Sequence, residues 1–220
     1  MRTACLFLAL SAGLLGQAKP DPMQDVPDQP GLPRVLLIGD SISIGYTLPV
    51  RAQLQGQANI HRIPENAATT ANGVAKLDSW LGTGHWDVIH FNFGLHDLKI
   101  MDDGRHQVEL EAYAANLRQI VARLKTTGAR LIFATTTPVP DAKQNPIRKA
   151  GDPPVYNEAA RAVMQEAGVE VDDLYAFVLP RVAEIQRPAP CMGEHNEEIY
   201  CRELGLSKDE LAALRGASVL

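Results

Sequence analysis

The chain has 220 residues, and at roughly 100–200 residues per domain that is one globular domain with an appendage. It is 45% hydrophobic and 21% charged, enough to bury a core, which excludes a disordered tail. A net charge of −5 without basic clusters argues against holding nucleic acid or anionic lipid by charge. Three cysteines, with no CxxC or HExxH spacing, exclude a disulfide scaffold and give no zinc signature. The sequence implies neither a metal nor an organic cofactor.

The amino end reads as a secretory leader. Arg2 precedes an apolar run over 4–15, and Gly16-Gln17-Ala18 offers small residues for cleavage. The run is shorter than the ~20 residues of a permanent span, so no stable membrane anchor is expected. Residues 1–18 are predicted to be removed, with the mature chain secreted or periplasmic. Residues 19–33, rich in Pro, Asp and Gln, read as a linker. Cys5 would leave with the leader. Cys191 and Cys201 then remain, as a disulfide in an oxidising compartment or as two unpaired small hydrophobes.

Beyond the linker, strands alternate with helices. Arg34 to Gly39 is a short apolar run of the kind buried on both faces of a sheet. Asn59 to Ile63, Asp87 to Gly94, Arg130 to Thr137 and Val169 to Asp172 are the further candidate strands. In 107–127 an apolar stripe runs through Leu110, Tyr113, Leu117, Ile120, Val121 and Leu124, with Gly128 as its stop. Pro153-Pro154 open a second helix, stopped by Gly168. This alternation predicts a parallel sheet covered on both faces.

In such sheets ligands sit beyond the carboxyl ends of the strands. Two motifs fall there: Gly39-Asp40-Ser41-Ile42-Ser43 after the first strand, and Gly94-Leu95-His96-Asp97 after the third. Ser41 can present a hydroxyl and a backbone N–H to a cleft, or the motif can simply cap a helix. His90, amid an apolar strand, reads as a core histidine. His61, His85 and His106 read as surface residues, and Asp40, Asp97, Asp102 and Asp103 as solvated loop carboxylates rather than a metal cluster.

The run Val35 to Ser43 resembles the first block of the SGNH (GDSL-type) esterase superfamily, and the likeness extends from about Arg34 to Arg187. It implies a three-layer α/β/α, flavodoxin-like fold and acyl transfer to water, on small esters or acylated carbohydrates. On this resemblance Ser41 is the nucleophile, and its backbone N–H is one oxyanion donor. Asn66-Ala67-Ala68-Thr69-Thr70 matches the second block, with Ala68 at the place of a donor Gly. His96 stands where the family has a donor Asn, and a neutral imidazole can donate one N–H.

The family's last block, Asp-x-x-His, is absent. His195 is the one histidine after Arg187, and Met192 stands three residues before it. It is a candidate general base without the orienting Asp. Residues 193–200 and 204–215 resemble instead the carboxyl end of family III CoA-transferases. Residues 188–220 therefore read as a foreign helical tail on an SGNH-like domain of 34–187, a truncated chimera. The resemblance implies an impaired esterase, or else an inactive binding protein on the same fold. On the reading of the leader, amino-terminal sequencing of the exported protein is expected to begin at Lys19; a start at Met1 would refute it.

Overall fold

The computed structural model describes residues 21–140, 145–184 and 207–209. Five strands, β1 (Arg34–Ile38), β2 (Asn59–Arg62), β3 (Val88–Phe91), β4 (Arg130–Ala134) and β5 (Glu170–Asp172), form one sheet. Every pairing is parallel, in the order β2-β1-β3-β4-β5. Parallel neighbours need crossovers, supplied by α1 (Ser41–Gln53), α2 (Thr70–Leu81), α3 (Leu110–Lys125) and α4 (Asp152–Ala167). The α/β class is as expected, and the five predicted strands are found with their ends trimmed.

Side-chain alternation along the strands divides the helices between two faces. Leu36, Ile38, Ile89, Phe91, Leu131 and Phe133 join the main core, which Trp80 of α2, Leu117 of α3 and Met164 of α4 complete. Burying a residue of this size contributes about 1.5–3 kcal/mol, so this face carries most of the stability. The alternate residues Leu37, His90 and Ile132 face a cleft of about 380 Å³ beside Tyr46 and Val50 of α1. Ser41 is not among its lining residues.

The amino-terminal residues before β1, expected to be a linker, are bonded to the β2 edge. The Asn59 side chain accepts from the Gln29 N–H at 2.8 Å and donates to the Gln29 carbonyl at 3.1 Å. His61 lies between Asp28 at 2.7 Å and Asp25 at 3.2 Å. It is only 6% exposed, which corrects its reading as a surface histidine: its partners are carboxylates of the supposed linker. Covering an edge strand in this way blocks its use as a pairing template.

The compact body runs to Tyr175; a second unit, 176–220, follows. Its described residues contain the end of a short helix, α5 (Leu174–Val178), and a 3₁₀ segment (Leu179–Glu184). The expected helical tail, with His195, Cys191 and Cys201, lies outside the described residues apart from 207–209.

Candidate active site

The strand order reverses between β1 and β3, since β1 connects to β2 on one side and β3 pairs on its other side. At such a switch point the loops after the two strands diverge and open a crevice. The loop after β1 carries Ser41, and that after β3 carries His96.

Ser41 is the first residue of α1. Asp40 caps the helix, its side chain accepting from the Ile42 N–H at 2.9 Å. The capping and nucleophile readings are thus compatible, because the cap is Asp40 and not Ser41. Ser41 is exposed, and neither its hydroxyl nor its N–H is hydrogen-bonded among the described residues. Gly39 is required for close packing, since a Cβ there would stand 2.9 Å from the Ser43 side chain. Under the turn lies Arg62, 8% exposed, whose guanidinium donates to the Gly39 and Asp40 carbonyls at 2.9 and 3.1 Å. Burial lowers Arg62 from its ordinary value, against the opposing charges of Tyr46 and Asp40.

Ala68 has φ of 54°, the one positive φ at a non-glycine among the described residues. The backbone has kept a conformation suited to glycine although the side chain is alanine. Its N–H donates to the Asn66 side chain at 2.8 Å. The neighbouring Ala67 N–H donates to the Gly39 carbonyl at 3.1 Å, which ties this loop to the Ser41 turn.

His96 is partly buried, and burial lowers its pKa; Asp40 opposes this, while Arg148 and Lys99 reinforce it. The ring is therefore favoured in its neutral form, the form with one N–H to give. Gly94 opens this loop with φ of 143°, and a Cβ there would meet the Thr136 hydroxyl oxygen at 2.2 Å. Asp97 anchors the loop to α2, accepting from the Thr70 N–H at 2.9 Å and the Thr70 hydroxyl at 2.5 Å. The stretches carrying Ser41, Ala68 and His96 are thus cross-linked in sequence: first block to second, second to third.

Two carboxylates expected to be solvated are buried: Asp40 as the helix cap and Asp97 as the loop anchor, the latter 0% exposed. Burial pushes the Asp97 carboxyl up to about 6, partly offset by Thr70. His106, expected at the surface, is half-buried against Asp152 at 2.9 Å. His90 is 18% exposed and lies 3.5 Å from Asp172, in the α1-side cleft. None of these histidines is hydrogen-bonded to Ser41, and His195 lies outside the described residues. Arg148, unnoticed in the sequence, donates to the Leu95 carbonyl at 2.8 Å and acts electrostatically on His96. No group of three potential metal ligands occurs among the described residues.

A doubly wound α/β body with an exposed serine opening a helix at its switch point defines a class of candidate acyl-transfer proteins. Residues 37–190 match the GDSL-like Lipase/Acylhydrolase family, and the chain belongs to it. No curated protein matches the sequence. Among solved structures, the acetyl xylan esterase AlAXEase is 14% identical with a TM-score of 0.59, over 69% of this chain and 84% of that one. A lipase/acylhydrolase from Enterococcus faecalis is 16% identical with a TM-score of 0.60, over 70% and 83%. Axe2, an acetylxylan esterase from Geobacillus stearothermophilus, is 19% identical with a TM-score of 0.55, over 80% and 95%. At these identities the likeness establishes the shared fold.

Two outcomes follow from the geometry. Ala68→Gly removes a Cβ from the left-handed region, where it costs about 1–2 kcal/mol, and urea unfolding is expected to show stabilisation of about 1 kcal/mol; a destabilised variant would contradict this. Asp97 has a folded pKa above its unfolded value, so the native state binds the extra proton between pH ~4 and ~6, and stability falls as pH rises through that window. Asp97→Asn keeps an acceptor for Thr70 and cannot ionise. Its stability relative to the parent is expected to rise by on the order of 3 kcal/mol between pH 4 and 7, read from urea midpoints. A pH-independent difference would show that Asp97 titrates normally.

Proposed function

We propose that this chain is an exported serine ester hydrolase of the GDSL-like family, acting on small esters or acylated carbohydrates through Ser41. The observation that carries the reading is the Ser41 hydroxyl and N–H, both without partners among the described residues, at the switch point of the sheet. Family membership and the esterase names of the structural neighbours support ester chemistry. The acetylxylan esterases among those neighbours support acylated carbohydrate as a substrate class.

In the proposed reaction the Ser41 oxygen attacks the ester carbonyl and its proton passes to a base. The carbonyl oxygen becomes an oxyanion facing the Ser41 N–H, with Ala68 and His96 as the other donors. Collapse expels the alcohol with a proton and leaves acyl-Ser41, which water then hydrolyses to the free acid. Oriented donors stabilise the oxyanion without reorganisation at the moment charge develops. No Asp-x-x-His follows Arg187 in the sequence, and His195 is the candidate left to supply the base. Catalysis is accordingly read as impaired, with Ser41 still the attacking group but without an oriented base to take its proton.

A second reading, a binding protein that holds acylated ligands without turning them over, is favoured by one observation. The Ala68 N–H is already taken by Asn66, so one proposed donor is not free. Hydrolysis of p-nitrophenyl acetate decides between them. The Ser41→Ala variant is expected to fall to the buffer rate while the parent exceeds it at least about tenfold; equal rates for the two would establish the binding protein. A comparable loss in His195→Ala would identify that residue as the base.

A further inference from the structure

Arg62 ends an edge strand, yet its guanidinium is buried and makes no ion pair among the described residues. One nitrogen, Nη2, donates to the Gly39 carbonyl (2.9 Å), the Asp40 carbonyl (3.1 Å) and the Ser43 hydroxyl (2.6 Å). The other, Nη1, donates to the carbonyls of Ile63 (3.0 Å) and Glu65 (2.7 Å). Nε is buried without a partner among the described residues. Burying a cation is costly, and filling the same space with an apolar side chain avoids that cost. The arrangement therefore calls for a reason beyond packing.

The reason lies in which carbonyls are held. Gly39 and Asp40 are the two residues before Ser41, so both peptide groups leading into the nucleophile are gripped. The Asp40 carbonyl and the Ser41 N–H are opposite ends of one planar peptide group. That bond is trans, the one cis bond among the described residues being Asn145–Pro146. In a trans peptide the C=O and N–H point in opposite directions. A carbonyl drawn inward by Arg62 therefore turns the N–H outward, where it has no partner among the described residues. The same carbonyl accepts from the Ile44 N–H at 3.1 Å and the Ser43 hydroxyl at 2.8 Å. Donors crowded on a carbonyl draw electron density from its amide and make the N–H a stronger donor.

We propose that Arg62 is a positioning residue that aims and polarises the Ser41 backbone N–H as an oxyanion donor. The proposal rests on the reading of Ser41 as nucleophile, but the direction and polarisation of its N–H are measurable without any turnover. Lysine at 62 retains the charge but not the planar fork, and glutamine loses both.

The experiment compares full-length parent, Arg62→Lys and Arg62→Gln by ¹H–¹⁵N correlation spectra and by p-nitrophenyl acetate kinetics. The Ser41 amide proton is expected to move upfield in both variants while that of Ile89, in the core of β3, stays in place. On the kinetic side kcat is expected to fall about tenfold or more with KM changed less than about twofold, below the full ~10²–10³ for deleting a donor. A Ser41 amide that does not move in a folded Arg62→Lys protein overturns the proposal. So does a shift of Ile89 as large as that of Ser41, which marks general loosening instead. If the Ser41 amide moves but Ser41→Ala hydrolyses ester as fast as the parent, the esterase reading falls and the positioning of the N–H stands. Should both variants fail to fold, Ser43→Ala removes one of the groups held with that carbonyl; an unmoved Ser41 amide there also overturns the proposal.

Discussion

Two hydrogen bonds converge on the Gly39 carbonyl, one from the Ala67 N–H and one from the Arg62 guanidinium. They fix the loop after β2 against the loop after β1, at the end of the sheet where strand order turns back. From Ala67 the chain enters α2, and the first residue of that helix, Thr70, is held by Asp97 of the loop after β3. Three loops from three strands thus share one short chain of buried bonds. Each of those strands is fixed in register by the parallel sheet, so the loops inherit the rigidity of the core. A site built on element ends in this way is held more tightly than one built on free loops.

Charge is distributed to suit that framework. Asp40 and Asp97 are both buried, and the Asp40 charge adds to the upward push on Asp97. Arg62 and Arg148 stand on the other side of the balance, both lowered by burial and both favoured by Asp40. His96 sits among these groups and is pressed toward neutrality, with burial outweighing Asp40. A neutral ring suits a donor to a developing oxyanion. It also suits a proton acceptor, but no bond connects His96 to Ser41 among the described residues.

Much of the fold was legible in sequence because buried parallel strands are continuous apolar runs, and β1, β3 and β4 read that way. Helices α3 and α4 were equally plain, their apolar stripes ending at Gly128 and Gly168. Helix α1 was not, since its buried positions are Ser43 and Thr47, whose hydroxyls donate to the Asp40 and Ser43 carbonyls and leave no apolar period. Ser41, Ala68 and His96 were found through blocks of sequence. Arg62 and Arg148 were missed, as isolated arginines carry no local signal of burial; only the turn they brace, formed elsewhere in the chain, gives them meaning. His61 was misread for the same reason, its partners Asp25 and Asp28 lying more than thirty residues away.

The strained Ala68 turn bears on how the donors would share work in the proposed reaction. Its N–H is bonded to the neutral Asn66 oxygen before any substrate arrives, so it adds nothing to ground-state binding unless that bond is broken. An oxyanion is a stronger acceptor than an amide, and charge-assisted bonds are roughly twice as strong as neutral ones. Exchange of Asn66 for the oxyanion is therefore favourable only as negative charge develops. Interactions that strengthen only in the transition state are those that accelerate the chemical step. The Ser41 N–H needs no such exchange, having no partner among the described residues to give up, and it would meet the carbonyl oxygen from the start. The two donors would thus act in sequence: Ser41 orients the ester, and Ala68 engages once the tetrahedral centre forms. An alanine at a glycine position makes that second movement stiffer, which places the greater share of oxyanion stabilisation on the peptide that Arg62 holds.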